Sequence, residues 1–468
     1  MQDIYALDFA EAMALAKKEL QADGLGVFVM TFGCQQNEND SERLYGMARA
    51  LGYLPVSRPE DASLILVNTC AIREHAEQKA LSLIGTLKHI KAEKAECVIG
   101  VCGCMSAVSH RVELLKAHYH FVDFTLSPTT LHLLPAALLA HKRTGKRQIA
   151  LRAYEGAPVE GIPICRTHQS RGQVSIMYGC NNFCSYCIVP HVRLRERSRD
   201  EAAIVAEVRA LIDGGCRDIT LLGQNVNSYK GKEGDFASLL ARLDALDGDF
   251  RLHFMTSHPK DASSDLLRVM QESIERGGHI VSHLHLPMQS GSDRILRKMN
   301  RHYDMARYRA IVEEARERMP DISLSTDIIV GFPTETEEDY LATEAALSEF
   351  RFDLVYSFIY SPRKGTPAAE MDGQVEEKEK HARYERLLAV QDPIAAERAK
   401  RFENRTVRVL MDEQKEDGKY SARTDEYKLV RIENATDSDL GQMKNVRITR
   451  AEAFILYGEI EKNDKKRG

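Results

Sequence analysis

Three of the chain's ten cysteines, Cys180, Cys184 and Cys187, fall within eight residues in YGCNNFCSYCIVP. Three thiolates in so tight a loop suit an iron–sulfur cluster and leave one iron without a protein ligand, free to chelate a substrate. Zinc is the other metal this spacing admits, although C-x2-C pairs are more usual for it. A second set is spread out: Cys34 ends TFGC, Cys70 ends NTC, and Cys102 and Cys104 close VCGC. Each follows an apolar run. If those runs are parallel strands, their carboxyl ends share one sheet edge, and thiols tens of residues apart can converge there. Cys97 starts its strand and belongs at the opposite edge. Cys104 lies beyond its strand, where ligands belong, and Cys102 reads as packed inside, but strand geometry leaves the choice between these two open.

The elements that must position these residues follow from hydropathy. GVFVMTF (26–32), SLILVN (63–68), CVIGVC (97–102) and HFVDF (120–124) read as buried strands, and helical patterns follow at Ser41–Leu51, Glu74–Ile90 and after Ser106. Strands alternating with helices imply a doubly wound parallel sheet. The stretch Arg143–Gly172 has no period and reads as a linker packed between domains. From Gln173 six further strands are expected: VSIMY (174–178), DITLLG (218–223), RLHFMT (251–256), VSHLHL (281–286), SLSTDIIVGF (323–332) and DLVYSFIY (353–360). Six βα units in series fit a partial or full α/β barrel, with Cys180–Cys187 at the carboxyl end of its first strand. A charged helix leads to short alternating strands from Asn404, a small antiparallel barrel of about five. The expected domains are 1–150, a linker 151–172, 173–400 and 401–468.

Composition sets the frame. The 468 residues are 43% hydrophobic and 28% charged, with a formal net charge of -5. No apolar run reaches the ~18 residues of a membrane helix. The first twenty residues carry acids and no apolar core, so neither a secretory signal nor a transit peptide is expected and the cytoplasm is the default compartment. Ten cysteines there argue for metal binding or catalysis over disulfides.

The C-x3-C-x2-C loop with Tyr186 as its aromatic, followed by βα repeats, resembles the radical S-adenosylmethionine (SAM) superfamily. GCQQNENDSE, NTCAIREHAEQK, GCM, LLGQNVNSY, TSHPKD, HLPMQSGS and STDIIVGFPTETEED occur in order around it and are similar to the methylthiotransferase family. GCQQNENDSE with LLGQNVNSY resembles the branch that modifies tRNA; the branch acting on a ribosomal-protein aspartate differs after the first cysteine. The resemblance implies a 4Fe–4S cluster on Cys180, Cys184 and Cys187 that binds and reductively cleaves SAM, and an auxiliary 4Fe–4S cluster on Cys34, Cys70 and Cys104 that delivers sulfur. One SAM serves as methyl donor and a second as radical source. The implied substrate is C2 of an isopentenylated adenosine just 3′ of the anticodon, in a loop where a single-stranded base can be splayed out and read. The implied partners are a tRNA anticodon stem-loop and an external electron donor, with no membrane and the chain acting as a monomer. A non-catalytic RNA-binding protein with structural zinc is the alternative from another class.

Candidate SAM contacts are Tyr186, packing against adenine; Gln224 and Asn225, at the end of the second barrel strand; and Gln289 and Asp327, at or near later strand ends. For each polar residue a satisfied strand-end turn is an equal alternative. His283 and His285 share one strand face and read as buried hydrogen-bonding groups. Arg193, Arg195, Arg197 and Arg199 would share one face of an extended segment, suited to RNA phosphates. The last barrel resembles the TRAM domain, an OB-like RNA-binding module, with departures: where the family has Gly-Arg-Thr-Asp-x-Asn-Lys, this chain has Ala422, Arg423, Thr424, Asp425, Glu426, Tyr427 and Lys428. Where the family has Thr-Arg-Gly after the cysteines, this chain has Val192, Arg193 and Leu194.

Overall fold

The computed structural model describes residues 4–71, 74–149, 151–415 and 418–461; Ile72 and Arg73 of the NTCAIREHAEQK motif lie outside them. The chain folds as two compact units. Unit 1 holds residues 1–167, 175–181 and 187–199; unit 2 holds 168–174, 182–186 and 200–468.

Unit 1 runs α1 (Phe9–Leu20), β1 (Gly26–Thr31), α2 (Gln35–Ala50), β2 (Leu54–Pro55), β3 (Leu64–Thr69), α3 (Glu74–Glu93), β4 (Val98–Gly103), α4 (Ser109–His118), β5 (Phe124–Leu126) and α5 (Leu134–Thr144). The strands form one parallel sheet in the order β2-β1-β3-β4-β5. Alternation along a strand feeds two cores. Leu64, Leu66 and Cys102 face α1, α2 and α5, while Ile65, Val67 and Val101 face α3 and α4. The expected doubly wound sheet is therefore present, with β2, α1 and α5 as elements the hydropathy pattern did not reveal. The order of the strands reverses between β1 and β3, and in open α/β sheets ligands bind beyond the carboxyl ends at such a switch point.

The apolar run 174–178 is not one strand. It splits into β6 (Arg171–Ser175) and β7 (Met177–Tyr178), and β7 pairs antiparallel with β8 (Arg197–Ser198). Between them, Val189–Arg193 forms a one-turn helix, α6.

In unit 2 follow α7 (Glu201–Asp213), β9 (Asp218–Leu222), α8 (Phe236–Asp244), β10 (Arg251–Phe254), α9 (Ser264–Glu275), β11 (His283–His285), α10 (Asp293–Lys298), α11 (Met305–Arg318), β12 (Ser323–Val330), α12 (Glu337–Phe350), β13 (Leu354–Ile359) and α13 (Glu377–Lys400). The six expected barrel strands are present as two three-stranded sheets, β10-β9-β6 and β11-β12-β13, joined by a single parallel bridge between Leu252 and Ile280. The curved sheet is thus a partial barrel, loosest where β11 is only three residues long.

The C-terminal strands β14 (Thr406–Gln414), β15 (Tyr420–Thr424), β16 (Leu429–Ile432), β17 (Met443–Ala451) and β18 (Ile455–Ile460) close a barrel in the order β14-β15-β16-β18-β17. One pair, β16 with β18, is parallel; the other four are antiparallel, so the expected antiparallel barrel holds in all but that pair. Its turn 424–428 lies against the starts of the larger barrel's strands. Arg251 at the head of β10 donates to the Arg423 carbonyl at 2.7 Å and pairs with Asp218 at 2.7 Å. Lys428 Nζ donates to the Asp353 carbonyl at 2.8 Å. Tyr427 stacks on His283, centroids 5.6 Å apart. It does so at φ 66°, a left-handed backbone that suits the family's asparagine better than tyrosine. Among the described residues no helix is long and apolar enough to cross a membrane.

Candidate functional site

Cys34 caps α2 directly after β1, Cys70 follows β3, and Cys104 opens the short helix after β4. All three therefore sit at the carboxyl edge of the unit 1 sheet, around its switch point. They are mutual electrostatic neighbours: burial pushes the Cys104 thiol up to about 11, Arg193 opposes that, and Cys70 and Cys34 add to it. Cys34 is exposed and the other two are buried, which leaves the triad one solvent-facing side. Gly33 permits this crowding, because a Cβ there would lie 3.0 Å from the Cys70 Cβ and closer still to Asn37. Asn37 in turn donates to the Thr69 carbonyl at 2.9 Å and fixes α2 against the end of β3. Cys102, by contrast, packs inside the core among Leu64, Leu66 and the α2 side chains, whereas Cys104 lies past the end of β4. Three thiols are the donor set that a 4Fe–4S cluster with one iron lacking a protein ligand would take, although among the described residues no three His, Cys, Asp or Glu side chains are drawn together as a metal site.

Cys180, Cys184 and Cys187 occupy the loop between β7 and α6. In unit 1 the Cys180 amide donates to the Leu194 carbonyl at 3.0 Å. In unit 2 the loop's other half is pinned by a main-chain bond from the Ser185 amide to the Met299 carbonyl at 3.0 Å and by the Asn300 side chain, whose Nδ2 donates to the Phe183 carbonyl at 2.9 Å. Arg301 is buried beside it and donates to Cys184 Sγ at 3.3 Å and to the Pro287 carbonyl at 3.1 Å. Burial works against its charge, yet Tyr303, Tyr186 and Cys184 hold the guanidinium well above its ordinary range. A cation against this thiol would suit a cluster there that must accept an electron. Nothing in the sequence pointed to Arg301; its place in RKMNRHY, outside any cysteine motif, gave no signal.

The candidate SAM contacts sit in unit 2. Tyr186 packs against Ile295, Met299, Phe332 and Tyr360. Asn225 is buried; its Nδ2 donates to Asp261 at 2.6 Å while its Oδ1 has no hydrogen-bond partner among the described residues. Gln224 is half-buried beside it. Gln289 continues the sheet beside β12, its amide donating to the Asp327 carbonyl at 2.7 Å, with its own backbone left-handed at φ 68°. Asp327 pairs with His285 at 3.6 Å. His283 and His285 both bond Ser325 Oγ, at 2.8 and 2.9 Å, the buried role expected of them. Two more orphaned buried atoms, Ser257 Oγ and His258 Nε2, stand just past β10 in TSHPKD. With Asn225 Oδ1 they are buried polar atoms without a hydrogen-bond partner among the described residues, near the carboxyl ends of β9 and β10. Their motif was visible in the sequence, but nothing local singled out these two residues within it.

The four arginines need correction. The segment is not extended throughout, because Arg193 ends α6 and Leu194 turns the chain at φ 65° before β8. Arg193 is buried in a 2.8 Å ion pair with Asp40. Arg199 is buried, pairs with Glu160 at 2.6 Å and donates to the Ser175 carbonyl at 2.7 Å. Arg197 donates to the carbonyls of Tyr154 and Gly156, each at 3.1 Å. Arg195 alone is exposed. As a group they tie unit 1 together and do not present an RNA-phosphate face.

Comparison with known proteins places this geometry. The Radical SAM superfamily model matches residues 174–347, the uncharacterized protein family UPF0004 matches 26–127, and the TRAM domain matches 400–460. A tRNA-2-methylthio-N(6)-dimethylallyladenosine synthase of Caldicellulosiruptor saccharolyticus is 43% identical over 92% of this chain and 92% of its own. The protein of the same name from Alkaliphilus oremlandii is 44% identical over 92% of each chain. Among solved structures, the radical SAM methyltransferase TsrM from Kitasatospora setae, with cobalamin and a [4Fe-4S] cluster bound, superposes with a TM-score of 0.57 at 14% identity, covering 74% of this chain and 77% of that one, a likeness of fold. The chain belongs to the tRNA-2-methylthio-N(6)-dimethylallyladenosine synthase family of radical SAM methylthiotransferases.

Proposed function

We propose that this chain replaces the C2 hydrogen of N6-isopentenyladenosine, just 3′ of the tRNA anticodon, with a methylthio group. The observation that carries the reading is the presence of two separate cysteine triads, one at the carboxyl edge of the unit 1 parallel sheet and one in the loop after β7, each with a buried arginine close by. Bound there, two 4Fe–4S clusters and SAM supply a carbon-centred radical and a transferable sulfur. The chain's own residues orient these groups. Cys34, Cys70 and Cys104 hold the auxiliary cluster, and Cys180, Cys184 and Cys187 the SAM-binding one. Asn225, Ser257 and His258 offer polar atoms to SAM, Gln224, Gln289 and Asp327 flank them, and Tyr186 offers an aromatic face. No residue is required as a general acid or base.

In this reading residues 1–150 form the sulfur-delivering domain, 173–400 the radical domain, and 401–468 an RNA-binding domain. The enzyme works in the cytoplasm as a monomer and takes electrons from an external donor. The test is anaerobic incubation of the iron-loaded protein with SAM, dithionite and an isopentenylated anticodon stem-loop. Mass spectrometry should show the RNA heavier by one methylthio group in place of hydrogen. An unmodified stem-loop, with methylthiolation found instead on a threonylcarbamoyladenosine tRNA or a ribosomal-protein aspartate, overturns the substrate assignment.

A further inference from the structure

A small cavity in unit 1 holds more positive charge than the protein around it balances. It is lined by Asp40, Arg43, His132, Tyr154, Tyr178 and Arg197, with apolar walls between them. Arg43 follows Asp40 on the same face of α2 and is 6% exposed. Among the described residues it has no carboxylate partner; its guanidinium lies 5.6 Å from the centre of the Tyr178 ring. Arg197 spends one nitrogen on the two main-chain carbonyls named above and likewise has no ion pair among the described residues. Three buried donors at this one cavity, Arg43 Nε, Arg197 Nε and Tyr178 OH, have no hydrogen-bond partner among those residues.

Asp40 is the one carboxylate on the wall, and Arg193 already claims it at 2.8 Å. Neither Arg43 nor Arg197 has an ion pair among the described residues, Glu155 acting on Arg197 only through space. Buried charge in proteins is ordinarily paired, and buried donors ordinarily bonded. His132 does not add to the excess: burial, then Arg197, holds it down at about 4, so it is neutral near pH 7. The missing partner is an anion. The cavity's volume of about 50 Å³ limits its size to a few atoms, since one water needs at least ~10–15 Å³ of such space. Asp40 limits its charge, because a dianion beside that carboxylate would be repelled. The remaining walls are mostly apolar, Met47, Leu131 and Ile162 among them, with Thr129 bonded to Ser127 and the Tyr154 amide, and favour a weakly hydrated, polarisable ion.

We infer that this cavity binds a small, soft monoanion of halide or hydrosulfide type, held by Arg43, Arg197 and the Tyr178 hydroxyl. The assignment does not depend on the cluster reading. Where that reading also holds, hydrosulfide is the ion of interest, because Asp40 connects the cavity through Arg193 to the surroundings of Cys104.

The test is a bromide soak of crystals of the iron-loaded protein, with anomalous diffraction collected at the bromine edge. One peak enclosed by Arg43, Arg197 and Tyr178 is expected. Density at that place filled by water alone overturns the proposal. Arg43→Gln should lower bromide occupancy at least tenfold. Should that variant fail to fold, Tyr178→Phe keeps both charges and removes one donor, and it too should weaken the peak; an unchanged peak in Tyr178→Phe counts against the assigned geometry. Two competitors identify the source of the ion. Loss of bromide to equimolar hydrosulfide supports the proposal. Loss of bromide to an anticodon stem-loop RNA overturns it, because the occupant is then a nucleotide phosphate.

Discussion

Leu194 holds a backbone conformation, φ 65° and ψ -160°, that is close to glycine-only territory. The family has glycine at this position, and the loop keeps the glycine-like shape although the side chain has changed. Its carbonyl is what receives the Cys180 amide, so the strain sits directly on the cysteine loop. Leu194→Gly should relieve it and stabilise the protein by about 1–2 kcal/mol, the cost of such a conformation less the extra entropy glycine loses on folding. A rise in melting temperature checks this, and a fall would mean the Leu194 side chain contributes more packing than its backbone costs. Arg301 is the second residue with a definite expectation. Without its charge at Cys184, the reduced form of the cluster there is less favoured. Arg301→Gln should lower the cluster's reduction potential by roughly 59 mV, a tenfold shift for one electron. Potentiometric titration followed by electron paramagnetic resonance reads this directly. Arg301→Lys should recover part of it, whereas a purely structural role would leave the potential unmoved.

Among the elements, the junction of β9, β10 and the turn before β16 carries a pH dependence through His253. His253 on β10 is buried, 3.3 Å from Asp218 on β9, and edge-on to Tyr427 at 5.4 Å. Burial holds His253 down at about 4; Asp218 opposes this, favouring the protonated form, while Arg251 and Arg423 add to the lowering. Unfolded, it titrates near 6.5. Between those values the unfolded chain binds a proton that the folded chain refuses, so stability falls as pH drops from ~6.5 toward ~4. The full difference is roughly 3 kcal/mol. Melting temperatures measured from pH 7 to pH 4.5 should therefore fall less steeply in His253→Gln than in the parent. His132 in unit 1, also at about 4, supplies a second component that the variant retains. Equal slopes in parent and variant would show that His253 is solvated in solution.

For the molecule as a whole, the two triads are separable. In a Cys34→Ala/Cys70→Ala/Cys104→Ala variant, iron and sulfide should fall to half, reductive SAM cleavage should persist, and methylthiolated RNA should disappear. The complementary triple variant at Cys180, Cys184 and Cys187 should also keep half its iron but lose SAM cleavage. Iron analysis with chromatographic detection of 5′-deoxyadenosine distinguishes them. Loss of all iron from either variant would contradict independent sites.

Local pattern was enough to read the βα alternation of unit 1, most of the barrel strands and the C-terminal barrel, because buried strands need apolar runs; the first barrel strand, expected over 174–178, splits into β6 and β7. It was not enough where one side chain's environment comes from distant chain. GVFVMTF and SLILVN announced themselves as strands, but nothing local said that the order reverses between them and so puts Cys34 and Cys70 at a switch point. VCGC offered two thiols, and only packing against Leu64, Leu66 and α2 buried Cys102 and left Cys104 for the edge. Four arginines at alternate positions looked like a phosphate-binding face until Asp40 and Glu160, over a hundred and about forty residues away in sequence, claimed two of them. Residue type and spacing thus determined the chemistry this protein can perform. Which cations are spent inside and which remain for a ligand was decided by long-range contacts, since a charge pairs with whatever the fold brings within reach.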